Sequence, residues 1–203
     1  LADPEWMAAI SDPRARTLTP CIACNQACLD HVFTGAKVSC LMNPRAGRET
    51  EPEYAAPVPV ALGRRRRIAV VGAGPAGLTA AERAARFGHE VTLFDRHAEP
   101  GGQFRLARRI PGKEEFHETL RYFKKKLEST GVDLRLNTRV SFDDLAKGGF
   151  DEIILATGIA PRTPAIEGID NAKVISYLEA ILQRKPVGQK VAVIGAGGIG
   201  FDV

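Results

Sequence analysis

The sequence predicts an α/β protein: one doubly wound, parallel-sheet unit, a cysteine-bearing loop ahead of it, and the opening of a second α/β unit behind it. Three observations carry that expectation. Four cysteines crowd into residues 21–40, a short apolar run at residues 68–71 leads directly into G-x-G-x-x-G and a helix, and the same pattern returns about 120 residues later. With 203 residues, 44% of them hydrophobic and 26% charged, the composition is that of a globular chain. It excludes disordered, collagen-like and disulfide-stapled classes. No stretch approaches the roughly 20 apolar residues of a membrane span. The opening Leu1-Ala2-Asp3-Pro4-Glu5-Trp6 has neither the basic nor the apolar region of a secretory signal. A cytoplasmic location and no membrane partner are expected. The net charge of +4 owes much to Arg64-Arg65-Arg66-Arg67, so no nucleic-acid partner is expected either.

The cysteines come first. Cys21, Cys24, Cys28 and Cys40 are spaced C-x2-C-x3-C-x11-C. Without signs of secretion, a metal site is the better reading than a disulfide framework. Zinc sites usually pair two C-x2-C knuckles or use Cys2His2. Three thiols on one tight loop and a fourth returning later suit the corners of a 4Fe–4S cubane, whose iron favours soft thiolates. A zinc knuckle and four unrelated buried cysteines are the alternatives. Pro20 and Pro44 stiffen the loop ends, and His31 reads as a partly exposed loop residue, not a ligand.

A Pro-rich stretch from Glu51 to Gly63 reads as a linker, with the arginine run as its wet end or as a phosphate-facing surface. Ile68-Ala69-Val70-Val71 is then a buried parallel strand. Gly72-Ala73-Gly74-Pro75-Ala76-Gly77 follows, Leu78 to Phe87 reads as a helix, Gly88-His89 as a turn, and Val91-Thr92-Leu93-Phe94 as a second strand ending on Asp95. This is the complete context of a dinucleotide fingerprint in a Rossmann-like unit. Gly72 permits the turn, Gly74 lets backbone approach a pyrophosphate, and Gly77 lets helix pack on strand. The helix start offers free N–H groups and a positive dipole end. Asp95 would accept from ribose hydroxyls and repel a 2′-phosphate, so this site should hold FAD, NAD or ADP, not NADP.

Two later segments favour FAD. Glu99-Pro100-Gly101-Gly102-Gln103 places paired glycines just after the second strand. Phe150 to Gly158 is a strand running into Ala156-Thr157-Gly158, the crossover of two-dinucleotide-binding-domain flavoproteins. Between them, Phe116, Leu120, Phe123 and Leu127 form the buried stripe of a helix, with Lys124-Lys125-Lys126 on its solvated side. Finally, Lys190 to Ile194 is a further apolar strand leading into Gly195-Ala196-Gly197-Gly198-Ile199-Gly200. Gly195, Gly197 and Gly200 repeat the fingerprint and should bind the nicotinamide cofactor. The acid or arginine that separates NADH from NADPH would come after Val203.

In this order the features resemble the iron–sulfur flavoenzymes of the old yellow enzyme and trimethylamine dehydrogenase group, most nearly the bacterial NADPH-dependent 2,4-dienoyl-CoA reductases. The phrases carrying the resemblance are Cys21-Ile22-Ala23-Cys24-Asn25-Gln26-Ala27-Cys28-Leu29-Asp30, Ser39-Cys40-Leu41-Met42-Asn43-Pro44-Arg45, Gly101-Gly102-Gln103-Phe104, Ile110-Pro111-Gly112-Lys113-Glu114-Glu115-Phe116 and Gly158-Ile159-Ala160-Pro161-Arg162-Thr163-Pro164.

The resemblance implies that the four cysteines ligate a 4Fe–4S cluster and that FAD is met by Ala76, Asp95, Gln103, Lys113 and Val140. It implies an N-terminal (β/α)8 barrel holding FMN and an unsaturated acyl-CoA, with residues 1–50 comprising the barrel's last helix region and the cluster segment. Residues 51–66 are then the linker, 67–160 the FAD domain and 161–203 the start of the NAD(P)H domain. Both ends are expected to be cut, so the 203 residues alone should not reduce dienoyl-CoA, and no catalytic residue is expected among them. The implied activity passes electrons from NADPH through FAD and the cluster to FMN in fatty-acid β-oxidation. An amine dehydrogenase or demethylase with ADP or FAD in the first site, and a non-catalytic cluster- and nucleotide-binding module, are the rival readings.

Overall fold

A computed structural model describes residues 2–9, 18–55, 58–182 and 184–203. At its centre is a four-stranded, all-parallel sheet of order β3-β2-β1-β4: β1 (Arg67–Val71), β2 (Glu90–Phe94), β3 (Asp133–Arg135) and β4 (Glu152–Leu155). β1 pairs with both β2 and β4, and β2 with β3. The predicted Rossmann-like α/β unit is therefore what the chain forms. Strand order reverses beside β1, the place where such sheets seat ligands beyond their carboxyl ends.

The residues dictate the layers. α3 (Pro75–Arg86) begins on a proline, whose fixed φ suits a first helical position, and α5 (Phe116–Thr130) ends on Gly131 at φ 73°. Ile68, Val70, Val91 and Leu93 point from the sheet onto Leu78, Ala81 and Leu127 of these helices, with Phe123 packed alongside. Val70, Leu78 and Leu93 are the largest fully buried side chains; each contributes about 1.5–3 kcal/mol by leaving water. The opposite face carries Thr92 and Phe94, with Phe150 edge-on to Phe94 at 6.0 Å. A cavity of about 470 Å³ lies on that side, among Thr92, Phe94, Val140, Leu145 and Phe150.

The remaining helices are short: α1 (Trp6–Ala9), α2 (Leu29–Thr34), α4 (Phe104–Ala107), α6 (Phe142–Lys147), α7 (Tyr177–Ile181) and α8 (Gly198–Asp202). Two 3₁₀ turns, Pro52–Tyr54 and Leu62–Arg64, interrupt the expected linker. The arginine run is exposed, yet it does structural work at the amino ends of the strands. Arg67 donates its N–H to Asp151 at 2.7 Å and its guanidinium to Gly149 O at 2.8 Å, Arg66 pairs with Glu152, and Arg65 donates to Gly88 O.

One expected element is absent. Lys190 to Ile194 forms no strand, and Val191, Val193 and Ile194 stand 54–72% exposed. A strand needs a neighbour to take its N–H and C=O groups, and among the described residues nothing pairs with this segment. His31 likewise sits in α2 instead of a loop, half-buried, with Nδ1 2.7 Å from Lys37 O.

Candidate functional site

The first fingerprint adopts the backbone its glycines permit. Gly72 has φ 107°, and a Cβ there would meet Ala156 O at 2.3 Å; a Cβ on Gly77 would meet Gly72 O at 1.8 Å. The glycine turn is thus closed by its own helix on one side and by the Ala156-Thr157 crossover on the other. The second fingerprint repeats this without a sheet beneath it: Gly195 has φ 112°, and a Cβ on Gly200 would lie 2.0 Å from Gly195 O. Gly197, like Gly74, is an extended N-cap without a side chain. The local sequence alone therefore winds both turns.

Around the first turn the expected residues gather. Ala76 lies exposed in the first turn of α3, whose N-cap Gly74 offers no side chain to the free N–H groups. Those donors and the helix dipole are left for an anion. Gly101 donates to Ala73 O at 2.6 Å, and a Cβ on Gly102 would come within 2.9 Å of the Gly74 Cα. Two stretches of bare backbone therefore face each other, a cradle that side chains would fill and that a pyrophosphate can approach.

Asp95 is buried at the end of β2. Oδ2 accepts from Ala73 N at 2.7 Å and Oδ1 from His97 N at 2.8 Å, with His97 Nδ1 also 2.8 Å away. Burial disfavours its charge, but the N–H groups of His97 and Ala73 and the imidazole together outweigh that and hold the carboxyl below its usual range. Three of about four lone-pair positions are used, which leaves one for a ribose hydroxyl. Asn137 and Thr138 donate to His97 O and Asp95 O, so the segment leading to Val140 runs beside this acid. Gln103 reaches from the paired-glycine turn to Ile159 O at 3.4 Å.

Lys113 has a partner that the sequence did not show. Its ammonium donates to both carboxylate oxygens of Asp202 at 2.7 Å, and Asp202 lies in α8, the helix of the second fingerprint. It thereby joins the loop before α5 to the helix of the second fingerprint. Asp202 and His97 were not read from the sequence. The Asp95-x-His97 spacing was the legible signal for the latter, whereas nothing local paired Asp202 with a lysine 89 residues away.

The cysteine loop is wound tightly. Ala23 and Asn25 take left-handed φ of 53° and 58° on either side of Cys24, and Ile22 is buried. Ser39 donates to Ala27 O at 2.7 Å, which sets the residue before Cys40 against the residue before Cys28. None of the four thiols is in a disulfide; Cys21 is exposed and the others half-buried. Among the described residues no three His, Cys, Asp or Glu side chains converge tightly enough for one metal ion. Four free thiols on one closed loop are a donor set that a thiolate-ligated metal group can use.

A glycine turn on a Rossmann-like sheet, with a second matching turn beyond the Ala156–Gly158 crossover, defines an oxidoreductase module of the two-dinucleotide-binding flavoprotein class. Residues 66–203 match the pyridine nucleotide-disulphide oxidoreductase family, and the chain belongs to it. Among characterised relatives it is 35% identical, over its whole length, to the metal reductase of Desulforamulus reducens and to the cinnamate reductase of Clostridium sporogenes, covering 30% and 29% of those proteins. Among solved structures, a 2-naphthoyl-CoA reductase complexed with 2-naphthoyl-CoA superposes at TM-score 0.93 with 36% identity, over 99% of this chain and 30% of that one. The 6-hydroxypseudooxynicotine amine oxidase of Pseudomonas geniculata N1 superposes at 0.80 with 30% identity, over 91% of this chain and 29% of its own. The chain thus spans less than a third of each of these four relatives.

Proposed function

We propose that this chain is the electron-transfer part of an NADPH-dependent iron–sulfur flavoenzyme that reduces the conjugated double bonds of an unsaturated acyl-CoA, with a 2,4-dienoyl-CoA in β-oxidation as substrate. The observation that carries the reading is one body holding two matching glycine turns and a four-cysteine loop. The likeness to a 2-naphthoyl-CoA reductase supports the thioester class. The proposed divisions are residues 1–50 for the barrel's end and cluster segment, 51–66 for the linker, 67–160 for FAD and 161–203 for the start of the NADPH unit. FMN and the acyl-CoA belong to a barrel preceding them.

When bound, nicotinamide, FAD, cluster and FMN supply the redox chemistry, hydride at the two ends and single electrons between. The chain's own residues bind and orient. Gly74, Ala76 and Gly77 present backbone N–H groups to the FAD pyrophosphate beside the turn that Gly72 permits, Asp95 takes the ribose, and Gln103 and Val140 flank flavin and adenine. Gly195, Gly197 and Gly200 do the same for the nicotinamide cofactor, NADH being the other candidate. Lys113 aligns the two units through Asp202. Cys21, Cys24, Cys28 and Cys40 hold the cluster as thiolates.

The test is the full-length enzyme. Equimolar FAD and FMN, about four irons, a flavin band bleached by NADPH and turnover of 2,4-dienoyl-CoA are expected. A second reading, an amine dehydrogenase or demethylase, draws support from the amine oxidase likeness and from 32% identity to a probable N-methylproline demethylase of Rhizobium meliloti. Amine-driven cluster reduction with ADP in the first site would decide for it, and bound nucleotide without turnover would leave a non-catalytic module.

A further inference from the structure

The most buried residue of α5 is not on its expected apolar stripe. Thr119 is 2% exposed, less than Leu127 at 3%. A buried hydroxyl calls for a partner, and Thr119 Oγ1 donates to the thioether of Met42 at 3.5 Å. Met42 stands two residues after Cys40. One turn further along, Tyr122 OH accepts from Thr19 Oγ1 at 3.4 Å, and Thr19 stands two residues before Cys21. The segments entering and leaving the cysteine loop are thus tied to positions i and i+3 of a single helix, which share one face. On another face of the same helix the Leu120 methyls press on the paired-glycine turn, where a Cβ on Gly101 would come within 2.6 Å of them. Phe116, at the helix start, stacks on Phe104 just past that turn, with ring centroids 5.2 Å apart.

We propose that α5 sets the spacing between the cysteine loop and the flavin turn, with Thr119 and Tyr122 as positioning residues that fix the cluster relative to FAD. The proposal rests on the electron-transfer reading above. The helix contacts the segments that flank both sites, and its two polar contacts bracket the cysteines; a helix serving only the core would present leucine at 119. Neither residue touches a thiol, so their removal moves the loop without removing a ligand.

The experiment uses the full-length holoenzyme and its Thr119→Val, Tyr122→Phe and doubly substituted forms, mixed rapidly with NADPH without oxygen. Flavin bleaching is followed optically and cluster reduction by freeze-quenched electron paramagnetic resonance. Flavin bleaching is expected to stay within about twofold of the parent, while cluster reduction slows several-fold in the double variant. Thr119→Ser, which keeps the hydroxyl, restores the parent rate. Cluster reduction at the parent rate in the double variant overturns the proposal, and so does equal slowing of both steps. If the double variant loses iron, Thr119→Val against Thr119→Ser decides alone. A parent enzyme whose cluster never reduces defeats the functional reading itself, a separable result.

Discussion

Gly77 and Gly200 sit at equivalent places in two turns, 1.8 Å and 2.0 Å from a carbonyl oxygen once a Cβ is added. Overpacking costs about 1–3 kcal/mol when side chains can yield, and more here because the obstacle is backbone. Gly77→Ala is expected to leave the purified enzyme nearly free of FAD, whereas Gly200→Ala keeps the flavin and loses NADPH affinity; flavin content and nucleotide titration separate the two. Asp95 gives a pH signature. Its folded carboxyl lies below the unfolded value near 3.9, so its stabilisation is present above that pH and lost as pH falls through the folded value. Urea midpoints followed downward from about pH 7 should fall below about pH 4, and Asp95→Asn should lower the neutral value and flatten that acid limb. These residues were legible because their constraints are local: the glycine spacing and the acid at the strand end need only neighbours in sequence. The pairing of Lys113 with Asp202 was not legible, because a loop cation has many acceptors to choose from and only the fold brings α8 to it.

Among the elements, the buried strands β1 and β2 and the two long helices were readable from apolar runs and 3.6-residue periodicity. β3 was not expected, although Val132-Asp133-Leu134-Arg135 alternates as a half-buried strand should. α6 and α7 carried overlooked signals as well: Ser141-x-x-Asp144 and Ser176-x-x-Glu179 both close as reciprocal capping boxes. In the second of these, Lys185 and the N–H and hydroxyl of Ser176 hold the Glu179 carboxyl at about 2. Ser141→Ala should cost about 1 kcal/mol, read as a lower urea midpoint with unchanged slope. Lys190 to Ile194 shows the limit of pattern reading. Its apolar run states a willingness to pair, but pairing is a property of two segments.

For the molecule as a whole, the Lys113–Asp202 pair joins units that the sequence separates. Both side chains are about a third exposed, so the charge attraction is discounted for solvent and the pair's role is orientation more than stability. In the full-length enzyme, Lys113→Ala and Asp202→Ala are each expected to slow flavin reduction by NADPH about tenfold, and the double variant no more than either alone. Additive losses in that cycle would show that the two residues act independently.

The order of the sheet also bears on how the chain is made. β1 lies in the interior of the sheet, yet one of its flanks is filled by β4, whose register with it closes contacts 84 residues apart. At about 5–20 residues per second, the ribosome leaves that flank bare for roughly 4–17 seconds after β1 emerges. During that interval a half-built sheet presents an open edge to every neighbouring nascent chain. Throughout that interval Arg66 and Arg67 stand without Asp151 and Glu152, the partners they hold in the finished sheet.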